Sequence, residues 1–163
     1  MEHELVSHAT FVVERMYPDS PPARVFAAYA EREAKARWST GPKHWRPELE
    51  LDFRVGGRER YRGRPPDGSV HAVDAWYLDI EPDRRIVYAY DVRVGDTRLI
   101  ASLATVELRP EGGGTRLVFT EQGAFFGGDD TTMFVQHMRN VLESLAAELA
   151  RAQAESPVPS ARP

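Results

Sequence analysis

The stretch Glu48–Arg64, ELELDFRVGGRERYRGR, decides the fold. Glu48, Glu50, Asp52 and Arg54 fall on one parity, and Leu49, Leu51 and Phe53 on the other. After Val55-Gly56-Gly57 the alternation resumes, with Arg58, Arg60, Arg62 and Arg64 against Glu59, Tyr61 and Gly63. A period of two means strands, and the glycine-rich break between them means a hairpin. A three-residue loop with glycine in the left-handed conformation is a common connection. It sets Asp52 opposite Arg60, Glu50 opposite Arg62 and Glu48 opposite Arg64, and each such pair contributes about 0.2–1 kcal/mol. A two-residue loop would put Phe53 beside Arg60 instead. One face is therefore a charged, wet ladder. The other carries Leu49, Leu51, Phe53 and Tyr61, with Glu59 among them, and needs a cover.

The flanking sequence supplies that cover. His8–Met16 reads as a first strand, and Tyr17–Pro22 breaks it. Ser20 is placed to cap a helix that tolerates prolines in its first turn and runs to about Ala30. A second short helix spans Glu31–Trp38, ended by Gly41-Pro42. Strands follow at Ser69–Ile80 and Arg85–Val92, registered so that Ile80 faces Ile86, Leu78 faces Tyr88 and Trp76 faces Tyr90. Asp74 continues that face. A last hairpin, Leu99–Leu108 with Thr115–Gln122, sets Leu108 opposite Leu117, Val106 opposite Phe119 and Ala104 opposite Glu121. Gly123–Gly128 reads as a mobile, aromatic-bearing loop. Asp129 or Asp130 caps a long helix to about Ala152, in which Phe134, Met138, Val141, Leu142, Leu145 and Leu149 form one apolar stripe.

The chain has 163 residues, 42% of them hydrophobic and 28% charged, with a net charge of −4, as expected of one soluble domain. That domain is expected over residues 1–152, and residues 153–163, ending in ESPVPSARP, read as a disordered tail. The absence of cysteine excludes disulfides and thiolate chemistry, and fits a cytoplasmic address. No apolar run is long enough to cross a membrane, and the first residues lack the basic and apolar regions of a signal peptide. The arginine stripe 58/60/62/64 faces Glu48, Glu50 and Asp52, which neutralises it, so no nucleic-acid partner is expected. No metal site is expected either: His3, His8, His44, His71 and His137 show no ligand spacing, and Asp129-Asp130 lacks an oxygen-rich loop. The glycine pairs join strand to strand, not strand to helix, which argues against a phosphate loop.

The order of elements, strand, two short helices, six strands in hairpins and a long helix, gives an α+β layer structure. It resembles the helix-grip fold of the START and Bet v 1-like superfamily. More narrowly, it resembles the family named for the C-terminal domain of the activator of Hsp90 ATPase. The resemblance is carried by PARVFAAYAEREAKARW (Pro22–Trp38), LDFRVGGRERYRG (Leu51–Gly63), VDAWYLDIEPDRRIVYAY (Val73–Tyr90), GGTRLVFTEQG (Gly113–Gly123) and HMRNVLESLAAEL (His137–Leu149). It implies a curved seven-stranded antiparallel sheet around the terminal helix, with a cavity between them. The inward positions would line it: Leu51, Phe53, Tyr61, Trp76, Tyr88, Tyr90, Val106, Phe119, Phe134, Met138 and Val141. Trp38 and Trp45 would close one end, and Phe125 and Phe126 would gate the other.

Glu59, Asp74 and Glu121 also fall on inward parity, where each has a plainer reading at a strand end or in an arginine pair. If one carboxylate is deep, Asp74 is the first candidate, because it extends the best-registered face. His137 lies on the helix stripe, either as a ligand contact or as a hydrogen-bonded core histidine. The leading expectation is a cofactor-free protein that binds a small hydrophobic or aromatic molecule, with no catalytic residue assigned. The alternatives are an enzyme using the same cavity for acid/base chemistry, and a protein-interaction module. A chaperone partner is not expected. A homodimer stays open, because an open sheet leaves edge strands to cover.

Overall fold

The computed structural model describes residues 6–127 and 130–155. Along the chain it places β1 (Val6–Tyr17), α1 (Pro22–Ala30), α2 (Arg32–Ser39), a 3-10 turn (Lys43–Trp45), β2 (Glu48–Leu51), β3 (Arg58–Gly63), β4 (His71–Glu81), β5 (Arg85–Val94), β6 (Thr97–Glu111), β7 (Gly114–Phe126) and α3 (Thr132–Glu155). The strands form one seven-stranded antiparallel sheet in the order β1-β7-β6-β5-β4-β3-β2. β1 closes on β7, the last strand, while the rest is a meander of hairpins. The helices pack on the concave side: α3 against β1, α1 and α2, α1 also against β6 and β7, and α2 against β2. This is the expected helix-grip architecture. Of the tail expected from residue 153, α3 takes in 153–155, and the remainder lies outside the described residues.

Two registers differ from expectation. In β2–β3, Glu48 faces Arg62 and Glu50 faces Arg60, a slip of two residues. The cause is Phe53. Instead of extending β2, it leaves the strand and packs edge-on against Phe26 at 5.5 Å and Tyr77 at 5.0 Å. The amide of Asp52 donates to the Arg58 carbonyl at 2.8 Å and closes a wider loop. A slip of two preserves parity, so the charged face stays charged. Arg64 still reaches Glu48 at 3.3 Å, now diagonally.

The second difference changes faces. The β4–β5 ladder shifts between Tyr77 and Asp79, so that Ile80 faces Ile86 as expected but Tyr77, not Leu78, faces Tyr88. Leu78 is the bulged residue, and a bulge reverses parity beyond it. Tyr77 therefore turns inward and is 1% exposed, whereas Trp76 and Leu78 turn outward at 37% and 55%. β7 also runs further than expected, taking Phe125 and Phe126 into the sheet. The β6–β7 register is the expected one, with Ala104 opposite Glu121.

Three polar anchors fix the helices. Tyr17 donates its hydroxyl to the Leu142 carbonyl at 2.8 Å. Glu148 of α3 receives Arg37 of α2 and Arg151, each at 2.8 Å. Burial alone would raise its pKa, but the two guanidinium forks hold it down at about 2. Lys35 of α2 and Glu59 of β3 form a buried ion pair at 2.5 Å, and the same ammonium donates to the Tyr77 hydroxyl at 3.2 Å. Burial would lower the Lys35 pKa, but the carboxylate and the phenol together hold it above its ordinary value. Removing one partner strands the other's charge inside the protein. Lys35→Met is therefore expected to lower stability by about 3–5 kcal/mol, and Lys35→Met/Glu59→Leu to regain most of it. Urea denaturation at pH 7 tests this, and a single variant losing under about 1 kcal/mol would contradict a closed pair.

Candidate functional site

Register lines the inward side chains up in rows across the sheet. The first row, Val13-Phe119-Val106-Ile86-Ile80, is wholly apolar, and all but Ile80 are buried. Leu142 and Leu145 of α3 belong to the same packed cluster. This end is solid core. The second row is Phe11-Glu121-Ala104-Tyr88-Tyr77, and the third is Ala9-Gly123-Ser102-Tyr90-Ala75-Glu59. These two rows mix large residues with Ala, Gly and Ser, and they carry the polar groups.

Glu121 is 1% exposed, and its Oε1 has no hydrogen-bond partner. Burial pushes its pKa up to about 7. The Ser102 hydroxyl is likewise buried and unpartnered. A Cβ at Gly123 would collide with that hydroxyl, so the glycine makes the space Ser102 occupies on the flank of β7. Tyr88 and Tyr90 lie next along the rows, 5.5 Å apart and half-buried. Burial raises the Tyr88 pKa well above its ordinary value, with Glu121 among the negative neighbours that add to this. Glu59 also shows an oxygen without a hydrogen bond, but its contact with Lys35 satisfies it electrostatically.

α3 roofs this band. Phe134 sits on Phe125 at 5.1 Å, and the Leu142 carbonyl meets Tyr17. The turns between, with Met138 and Val141, thus pass over the part of β1 and β7 that holds Phe11 and Glu121. Phe11, Met138, Val141, Tyr88 and Tyr90 all keep partial exposure. The result is a band of partly exposed aromatic and aliphatic side chains around a buried carboxyl and a buried hydroxyl.

Several expected site residues lie elsewhere. Trp76 is on the convex face, with the Arg58 guanidinium 5.5 Å from its ring. Asp74 is there too, bonded to Arg62 at 3.1 Å and Arg93 at 3.4 Å. The bulge at Leu78 corrects both assignments, and of the three carboxylates Glu121 and Glu59 are the buried ones, Glu59 paired with Lys35. Trp38 is core: its indole donates to the Ala28 carbonyl at 2.9 Å and packs on Tyr29 at 4.8 Å. Trp45 stacks on His71 at 4.8 Å. His137 is exposed rather than on the buried stripe, and partial desolvation lowers its pKa. Phe119 is fully buried, Phe125 is a strand residue under Phe134, and Tyr61 accepts the Gly41 amide at 3.0 Å. Gly128 and Asp129 lie outside the described residues, while Asp130 accepts the Thr132 amide at 2.9 Å at the start of α3.

Sequence reasoning misses Tyr77, Ser102 and Lys35. The clue to Tyr77 is that Val73-Ala75-Tyr77 and Trp76-Leu78-Ile80 are both apolar sets, a conflict that a bulge resolves. Ser102 is visible as the one hydroxyl on the inward parity shared by Ile100 and Ala104. A cleft of about 360 Å³ also lies by β2, β3 and β4, lined mainly by Glu50, Asp52, Arg58, Arg60, Asp74 and Trp76. Glu50, Asp52, Arg60 and Asp74 pair with one another or with nearby arginines, and Arg58 lies over the Trp76 ring. The cleft lacks a counterpart to the buried, unpartnered Glu121 carboxyl and Ser102 hydroxyl of the concave face.

Comparison with known proteins follows the same lines. The family model described as "Activator of Hsp90 ATPase homolog 1-like protein" matches residues 19–150. The chain belongs to this family. Similar solved structures include a protein of Rhizobium leguminosarum, 42% identical with a TM-score of 0.84, covering 91% of this chain and 99% of its own. A protein of Rhizobium loti is 45% identical with a TM-score of 0.77, covering 88% and 99%. One of Chromobacterium violaceum is 27% identical with a TM-score of 0.70, covering 85% and 95%. No curated protein matches the chain. No helix among the described residues is long and apolar enough to cross a membrane, and no group of His, Asp and Glu among them could hold a metal ion.

Glu121 gives a stability signature. Its folded pKa lies above the unfolded value, so its contribution is complete below about pH 4.5 and is lost as pH rises through 7. Glu121→Gln is expected to match the parent near pH 4.5 and to exceed it by about 3 kcal/mol above pH 8, since each pH unit between the two titrations is worth about 1.4 kcal/mol. Urea denaturation of both proteins across pH 4.5–8 measures the gap, and parallel curves would show Glu121 to be ionised and satisfied.

Proposed function

We propose that the protein binds a small hydrophobic or aromatic molecule in the groove between the concave face of the sheet and α3. One observation supports this above the others: Glu121 and Ser102 bury unpartnered polar atoms beneath half-exposed aromatic and methionine side chains. Buried polar groups without partners are rare in native proteins, and an apolar groove with a few convergent polar groups is the usual form of a small-molecule site. Tyr88 and Tyr90 form one wall, and Phe11, Phe134, Met138 and Val141 the other. Phe53 and Tyr61 lie at the far end and shape the groove rather than contact its floor. The lack of cysteine suits work in the cytoplasm.

Titration with a panel of apolar aromatic compounds, followed by NMR of the methionine methyls and tyrosine rings, tests this. Met138, Tyr88 and Tyr90 are expected to shift while Trp76 does not. Met138→Ala is expected to weaken binding about tenfold, the equivalent of about 1.4 kcal/mol. Shifts confined to the cleft by Trp76, or none across the panel, would overturn the groove as the site.

A further inference from the structure

We infer that the groove selects amines: molecules with an apolar body and one protonated nitrogen, the nitrogen received by the Glu121 carboxylate and the Ser102 hydroxyl beside Tyr88 and Tyr90. This deepens the ligand-binding role proposed above and rests on it. Glu121 is 1% exposed, one of its oxygens is bonded to nothing, and its neighbours along the row are Phe11 and Ala104. A carboxylate in such a place is costly unless a cation or hydrogen-bond donors meet it.

Among the described residues, no cation is paired with Glu121. The titratable groups facing this band are Tyr88 and Tyr90 from β5, Tyr77 from β4, Glu59 from β3, Tyr29 from α1, Lys35 from α2 and, at the edge of the roof, His137 from α3. Arg15 of β1 and Arg32, Lys35 and Arg37 of α2 are engaged elsewhere. Lys35 is held by Glu59 at 2.5 Å, Arg37 by Glu148 at 2.8 Å, and Arg15 of β1 by Glu143 at 2.6 Å. Arg32 donates to the Leu49 carbonyl at 3.0 Å. Desolvation lowers the His137 pKa and favours its neutral form. Desolvation raises the Tyr29 and Tyr88 phenols well above their ordinary value, so neither adds charge at neutral pH.

The remaining chemistry suits an ammonium group. Glu121 Oε1 and Ser102 Oγ are two unused acceptors on adjacent rows, and an ammonium carries several donors. Aromatic rings at close range attract a cation through their faces. Tyr88 and Tyr90 are such rings. An anionic ligand would meet like charge, and a neutral acceptor could use Glu121 only while it is protonated.

The test uses the full chain and three compounds of matched shape, a phenylalkylamine, the corresponding phenylalkanol and the corresponding carboxylic acid, titrated by calorimetry between pH 5.5 and 8. The amine stays protonated throughout, because alkyl ammonium groups titrate near pH 10. Glu121 ionises through about 7, so amine affinity is expected to rise about tenfold to thirtyfold from pH 5.5 to 8. The alcohol should stay flat, and the acid should bind weakest at pH 8. Glu121→Gln is expected to bring the amine down to the alcohol's affinity and to abolish its pH dependence, while Asp74→Asn on the convex face leaves both intact. A second readout does not depend on that variant: the carboxyl carbon signal of Glu121 should titrate at lower pH in the amine-saturated protein. Equal binding of amine and alcohol at pH 8, or an amine preference that survives Glu121→Gln, would overturn the amine proposal and leave the groove standing. If none of the three compounds perturbs Met138, Tyr88 or Tyr90, both the proposal and the groove fall.

Discussion

The concave face of this sheet spans six strand spacings, about 29 Å, and an α-helix with its side chains is only about 10–12 Å across. One terminal helix cannot cover such a surface. α3 lies toward β1, tied down by Tyr17 to its Leu142 carbonyl and by the arginine forks on Glu148. α1 and α2 cover further parts of the face. Where the α3 leucines reach the sheet, the rows are apolar and sealed. Toward Phe134, which packs on Phe125, the rows below carry Tyr88 and Tyr90 with partial exposure. The proposed groove rests on this mismatch of widths, and its proposed position on where the helix is pinned.

The composition of the rows fits that geometry. At the sealed end, Val13, Phe119, Val106 and Ile86 meet Leu142 and Leu145 in a continuous cluster. In the next two rows, small Ala104, Ala75 and Gly123 stand beside the larger Tyr88 and Tyr90. Glu121 and Ser102 stand in the gap with buried polar atoms that no other group satisfies. Their surroundings contrast with the Lys35–Glu59–Tyr77 cluster nearby, where burial is just as deep but every charge has a partner. The closed network holds α2 to β3 and the open one is the proposed ligand contact, so Glu59 and Glu121, the two buried carboxylates of the sheet's inward rows, differ in whether the fold itself satisfies them.

Much of the architecture is legible in the chain. Period-two alternation marks the strands, glycine-rich breaks mark the hairpins, and the three- and four-residue apolar spacing marks α3. The inward row Leu117, Phe119 and Glu121 reads in its true register, because that hairpin is tight and regular. Glu121 is visible as an inward carboxylate, but sequence reasoning ranks Asp74 above it. That ranking depends on extending one parity through β4, and parity carries no information across a bulge. Spacing alone puts His137 on the buried stripe, yet a helix drifts relative to the surface it crosses, and only the anchored orientation of α3 leaves this side chain at the edge.

By itself the sequence determined which segments are strands, which are helices, and which sheet face is wet, since these follow from the local alternation of side chains and the backbone preferences of Gly and Pro. Tertiary structure alone decided the bulge at Leu78, the two-residue slip that lets Phe53 reach Tyr77, and the line α3 takes over the sheet. Each of those reflects competition among contacts far apart in the chain. Phe53 finds its pocket only once β4 is in place, and Glu121 becomes a desolvated acid only once a helix from the other end of the fold closes over it.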